Sequence, residues 1–284
     1  MSTQDVSQFK ASALDNDTLR RWAPSIFAEG PRDGVSKRYT FVPTARIVDG
    51  LRGHGWVPVA VEEQSIRIES RRGFQRHLLR LRLADQMATL DEWNVELVLV
   101  NSHDGGCAYQ LHAGLFRRIC SNGLVLSDTR FEAIRFRHSG LQPEEVVQAS
   151  FRLIEVIPQI SGLVEGFRKR TLEDSESHAF ARHALRLRYT DEVQPPVDPG
   201  TLLKARRPED TARDLWTTLN RVQENLIRGG VSDHHRDRRG KLRSVRAIRG
   251  IDSKVTLNKG IWSLAERLAQ GHSLAQSETV TLPA

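Results

Sequence analysis

The sequence predicts an α+β protein: a mainly antiparallel, curved sheet backed by a long helix, followed by a helical C-terminal appendage. Three observations predict it. From Trp56 to about His138 apolar and polar residues alternate with period two, the mark of half-buried strands. SRRG (70–73) and NSHDGG (101–106) fall between such runs and supply the Gly and Asp-Gly that accept the positive backbone angles of a tight return. After Pro143 the period becomes helical, with Leu153, Ile157, Ile160, Val164 and Phe167 on one stripe.

In order, residues 14–22 make a short helix ended by Pro24, and Tyr39 to Val42 a short strand. A helix then opens near Pro43-Thr44 and closes at Gly53 and Gly55. Strands follow at 56–62, 65–70, 76–84, 93–100, 107–115 and 131–138. Alternation sets Leu79, Leu81 and Leu83 against Leu78, Arg80 and Arg82; it sets Ile66 and Ile68 against Arg67, and Ile134 and Phe136 against Arg135 and Arg137. One face is then apolar and the other carries arginine. Pro158 should kink or end the helix after Pro143, and a further helix covers 174–188. Together these helices should cover the apolar face.

Residues 191–208 are proline-rich and read as a linker, so the expected domains are a core over 1–190 (sheet about 35–140, helices 143–190) and a helical region over 209–284 with a basic arm at 228–250. The helix before Gly229-Gly230 has Leu215, Leu219, Val222 and Leu226 as its stripe, and the last helix, about 255–269, is built on Leu257, Ile261, Leu264 and Leu268.

The chain has 284 residues, 39% hydrophobic and 27% charged, with a net charge of +7 carried more by arginine than by lysine. Planar guanidinium forks suit phosphates and carboxylates, so nucleic acid is the first partner to consider. Two cysteines, Cys107 and Cys120, exclude a disulfide framework and suit a reducing cytoplasm. No apolar signal core opens the chain, and no run of about 18 apolar residues suggests a membrane span. Walker, GxGxxG, HExxH and GxSxG motifs are absent, so no cofactor is expected and an enzyme reading lacks a nucleophile and a base.

Four groups of residues carry the binding expectations. Arg67, Arg80, Arg82, Arg135 and Arg137 would line an arginine face. In FRRICSNGL (116–124), Arg117, Arg118 and Asn122 would join cationic forks to turn amides around a phosphate, with Cys120 a small buried residue. Arg236, Arg238, Arg239, Lys241, Arg243, Arg246 and Arg249 form a run that neutralises phosphates and orders on a polyanion. His234 and His235 beside it are not read as a metal site. The hairpin tip, Asn101, His103 and Asp104, is read first as a turn and second as a contact tip. With only distant His112 and Cys120 to help, it does not make a metal site either.

SKRYTFVPT, RHLLRLR, NSHDGGCAYQLHAGLFRRICSNGL, LWTTLNRVQENLIRGG and RAIRGIDSKVTLNKGIW together resemble the family grouped as domain of unknown function 932, over nearly the whole chain. The resemblance implies a bacterial protein of plasmids, phages and integrative elements, and supplies no catalytic residue. At the level of fold, a curved sheet with arginines on its open face is similar to single-strand annealing proteins such as Redβ and RecT. That likeness implies DNA, in single-stranded form, as partner, a role in recombination or element maintenance, and assembly as a homo-oligomer. Few aromatic residues on the suspected face depart from that pattern. The alternatives are a metal-dependent nuclease using His103, Asp104 and Glu96, and a module whose arginines meet an acidic protein partner.

Overall fold

A computed structural model describes residues 12–87, 93–117, 123–125, 134–189 and 194–274. It is α+β, and the chain divides into two compact units, Met1–Ile157 and Pro158–Ala284. Among the described residues no helix is long and apolar enough to cross a membrane.

The first unit begins with α1 (Asn16–Trp22), capped by the Asp15 carboxylate, which accepts from the Thr18 amide at 2.8 Å. Helix α2 (Thr44–Gly53) follows, burying Ile47, Val48 and Leu51 at helical spacing. The sheet contains β1 (Trp56–Glu63), β2 (His77–Leu83), β3 (Trp93–Asn101), β4 (Tyr109–Arg117), β5 (Gly123–Val125) and β6 (Ile134–Phe136). Strands β1 to β4 pair antiparallel in sequence order, and β5 and β6 both pair with β4. Pro58 lies on the edge strand, where its missing N–H is harmless; a register shift follows it, and its carbonyl accepts from the Leu14 amide.

Register builds the core directly. Leu79 faces Leu99, which faces Leu111; Leu81 faces Leu97, which faces Ala113; all six are fully buried. Each buried leucine contributes about 1.5–3 kcal/mol relative to exposure. Strand β3 is buried on both faces along nearly its whole length, so the second face is not the open surface that alternation suggested.

Two expected strands are absent. Residues 39–42 have no ladder partner; the Tyr39 ring stacks on His138, with centroids 4.4 Å apart, and the Thr40 amide bonds the His138 carbonyl. Residues 65–70 form a connection ending in a single 3-10 turn, Glu69–Arg71. Its Ile–Arg–Ile alternation imitates a strand, but Ile68 is exposed and the chain closes instead through Gln64 N to Arg76 O. Residues 131–133 of the last expected strand lie outside the described residues.

Helix α3 (Pro143–Lys169) runs through the division between the units and continues past Pro158. In the second unit, α4 (Asp174–Arg188), α5 (Leu215–Arg228) and α6 (Ile251–Ala269) pack together. Leu215, Leu219, Val222 and Leu226 are fully buried, as their spacing requires. Asp214 caps α5 by accepting from the Thr217 amide at 2.9 Å. Polar residues on this buried helix tie it to its surroundings: Glu224 accepts from Arg207 and Arg228, and Asn225 donates to the carbonyls of Leu202 and Lys204. Those bonds tie the proline-rich stretch to α5, with Leu202 fully buried. Gly229 ends the helix at φ +64, where a Cβ would stand 2.4 Å from the Val245 carbonyl oxygen. The expected disordered arm is instead a hairpin of β7 (Ser232–Arg236) and β8 (Leu242–Ser244).

Candidate nucleic-acid interface

The hairpin's turn decides how its charges are presented. Asp237 is the one acidic residue from Arg236 to Arg249, and its carboxylate is committed to the backbone, accepting from the amides of Arg239 at 2.8 Å and Lys241 at 2.9 Å. Gly240 N to Asp237 O closes the same turn. Arg236, Arg238, Arg239, Lys241, Arg246 and Arg249 are exposed and Arg243 is half-buried. Among the described residues none of these seven has a carboxylate partner. The tight turn thus sets uncompensated positive charge on a rigid support, the condition for phosphate contacts.

Beside the hairpin runs an open groove of about 530 Å³, lined by Arg188, Tyr189, Gln194, Lys241, Arg243 and Arg246 among others. Arg243 donates to the Gln194 carbonyl at 2.8 Å. Arg188 bonds the carbonyls of Leu226 and Arg246 and lies 5.2 Å from the centre of the Tyr189 ring. Burial lowers the Arg188 guanidinium from its usual value and raises the Tyr189 phenol, so the groove carries fixed cations beside a neutral aromatic ring. Arg188, Tyr189 and Gln194 stand some 50 residues before the arm in sequence, and nothing in their own neighbourhood marks them; only the fold brings them to the hairpin.

The sheet arginines are placed otherwise. Arg80 Nε is 2.7 Å from Glu96 Oε2, and Arg82 Nη2 is 2.6 Å from Glu96 Oε1. Glu96 is fully buried, Arg82 nearly so, and Arg80 also lies 3.4 Å above the Phe116 ring. These two guanidiniums serve the interior rather than an open face. Arg117 is buried as well. Arg135 and Arg137 are exposed around β6, and Arg67 is exposed in the connection before Glu69. Arg118, Cys120 and Asn122 lie outside the described residues.

The NSHDGG turn combines geometry with a buried polar cluster. Asp104 Oδ1 accepts from Ser102 Oγ at 2.7 Å and from the Gly106 amide at 2.9 Å, while Gly105 takes φ +77. Asn101 and His103 turn inward and are fully buried. There Thr44 Oγ1 lies 2.9 Å from His77 Nε2, 3.1 Å from His103 Nε2 and 3.0 Å from Asn101 Nδ2. His77 Nδ1 in turn lies 2.8 Å from Ser25 Oγ and 3.3 Å from the Gln75 carbonyl. The Tyr109 hydroxyl, 3.1 Å from Thr44 Oγ1, donates to the Val42 carbonyl at 2.6 Å and closes the cluster. Burial pushes the imidazole of His77 down to about 3 and that of His103 down to about 4, so both are neutral.

These contacts separate the residues of the nuclease alternative. His103 belongs to the face of His77 and Asn101, Glu96 to the opposite face with Arg80 and Arg82, and Asp104 is taken up by the turn. Cys107 is buried and its thiol is pushed up chiefly by burial, which makes it a poor nucleophile.

Comparison with known proteins then places the molecule. The model of a domain of unknown function, DUF932, matches residues 32–262. The chain belongs to the DUF932 family. Among the relatives of this DUF932 chain, the UPF0380 protein YafZ of Escherichia coli K12 is 36% identical over 255 residues, covering 90% of this chain and 91% of its own. The UPF0380 protein YfjQ of the same strain is 35% identical with the same coverage. No solved structure matches this DUF932 chain.

Proposed function

We propose that this DUF932 protein binds the phosphate backbone of nucleic acid, single-stranded DNA in the first instance, through the β7–β8 hairpin and the adjoining groove. The observation that carries the reading is the set of seven basic side chains, Arg236 to Arg249, that have no carboxylate partner among the described residues; three of them, Lys241, Arg243 and Arg246, line a groove that also contains Tyr189. Cations that track phosphates, next to a ring on which a base can stack, are what strand binding without sequence preference requires. The sheet arginines Arg80 and Arg82 take no part in this reading, because both are bonded to Glu96 and Arg82 is buried with it. Strand annealing in the service of a mobile element is the finer form of the proposal, and annealing of complementary oligonucleotides by the purified protein would test it.

Binding of a fluorescent single strand and of its duplex by the full chain tests the coarser form. If about six phosphates are neutralised, single-strand affinity falls roughly 300-fold between about 50 and 200 mM salt, since each contact adds about 0.7 to the logarithmic slope. Replacing Lys241, Arg243 and Arg246 together by alanine should remove about 2 from that slope, leaving a roughly 20-fold fall. Absence of binding at about 50 mM salt, or a slope unchanged in the folded triple variant, overturns the proposal.

A further inference from the structure

Strand alternation alone would send His234 and His235 to opposite sides of β7. They are on the same side. The pairing of β7 with β8 is irregular between Ser232 and Arg236, and the extra residues let the two imidazoles stack, with ring centroids 4.5 Å apart and planes 29° from parallel. Both rings face one carboxylate, that of Asp198: His234 Nε2 is 3.6 Å from Oδ2 and His235 Nε2 is 3.8 Å from Oδ1. These separations are too long for hydrogen bonds. They lie close to the separation of about 3.3 Å between neighbouring donor atoms around a tetrahedral zinc ion.

The second layer is already built. Asp233 Oδ1 lies 2.7 Å from His235 Nδ1, fixing the tautomer that leaves Nε2 free as a ligand. Asp233 is itself held, with Oδ2 accepting from the Asp198 amide and from Thr201 Oγ1 at 3.1 Å. One donor atom from each of Asp198, Asp233, His234 and His235 lies within 4.8 Å of all the others.

We infer that Asp198, His234 and His235 bind one divalent transition-metal ion through a carboxylate and two imidazole Nε2 atoms, with Asp233 positioning His235 and a water completing the coordination. Imidazole with carboxylate suits zinc and its neighbours rather than calcium or magnesium, which take oxygen donors. His234 and Asp198 are exposed, so the ion enters from solvent and keeps an open position. The ion would fasten β7 to the segment around Asp198, and Gln194 and Pro196 of that segment line the basic groove. The site stands independently of nucleic-acid binding and is tested without it.

Full-length protein lacking a polyhistidine tag would be stripped with a chelator, then titrated with zinc against a chromophoric competitor and, separately, with cobalt while its visible absorption is followed. One zinc per chain is expected, together with a cobalt spectrum of nitrogen and oxygen coordination. His235→Ala should weaken binding at least 100-fold and Asp233→Asn 10- to 100-fold, while the exposed His272→Ala should leave it unchanged. The imidazole resonances of His234 and His235 should shift on zinc addition to the unaltered protein, a readout that needs no variant. Binding below one equivalent, zinc affinity that survives the His234→Ala/His235→Ala double change, or resonances that do not move would each overturn the assignment.

Discussion

Acidification from pH 8 to pH 5 should destabilise the sheet unit by about 4 kcal/mol, and the magnitude follows from two side chains. His77 and His103 are fully buried, share the Thr44 hydroxyl, and are held neutral down to about 3 and about 4. In the unfolded chain an imidazole titrates near 6.5. Between those values the unfolded state takes up protons that the native state refuses. Stability is therefore complete above about pH 6.5 and is lost as pH falls, at about 1.4 kcal/mol per unit for each histidine. At pH 5 each has cost about 2 kcal/mol. His138 is lowered by burial as well and acts in the same direction. Unfolded carboxylates titrate near 4, below this window, so they contribute little to it. Urea unfolding followed by circular dichroism at pH 8, 7, 6 and 5 measures the slope, and His103→Gln should remove about half of it. Stability equal at pH 8 and pH 5, or an identical slope in the variant, would refute the account of a neutral buried pair.

Two further predictions concern single positions. Glu96→Gln leaves Arg80 and the buried Arg82 without their counter-charge and should cost about 3–5 kcal/mol in urea unfolding, since losing one member of a buried pair strands the other. Gly229→Ala forces a side chain into a left-handed position at about 1–3 kcal/mol and against the Val245 carbonyl, so a clear drop in melting temperature is expected, with helix content retained.

Much of the fold was legible because local pattern and tertiary burial agree. Ile47, Val48 and Leu51 on α2, the leucine ladder through β2, β3 and β4, and the stripe of α5 all lie where their spacing puts them. Ile66 and Ile68 misled because period two also occurs by chance in a connection, and only a neighbouring strand can turn alternation into a sheet. In the hairpin tip, the turn chemistry of Asp104 and Gly105 is local and could be read. The burial of Asn101 and His103 depends on Thr44, far away in sequence, and could not. Arg80 and Arg82 share this limit: alternation gave their face, but Glu96 comes from the next strand and its register is a tertiary fact. The basic hairpin was visible as charge, while Arg188 and Tyr189 join it only through folding.

The two flanks of the sheet bear on self-assembly. A second copy seeking to extend the sheet by backbone pairing would meet, on β1, a proline, an irregular register and a carbonyl already taken by Leu14. On β4 it would meet β5 and β6, each bonded to a different part of that strand. Open, regular edges are what fibrils and domain-swapped dimers recruit, and these features blunt both flanks. If the protein forms rings or filaments on a strand of DNA, backbone pairing through the β1 flank is disfavoured as the joint between its subunits.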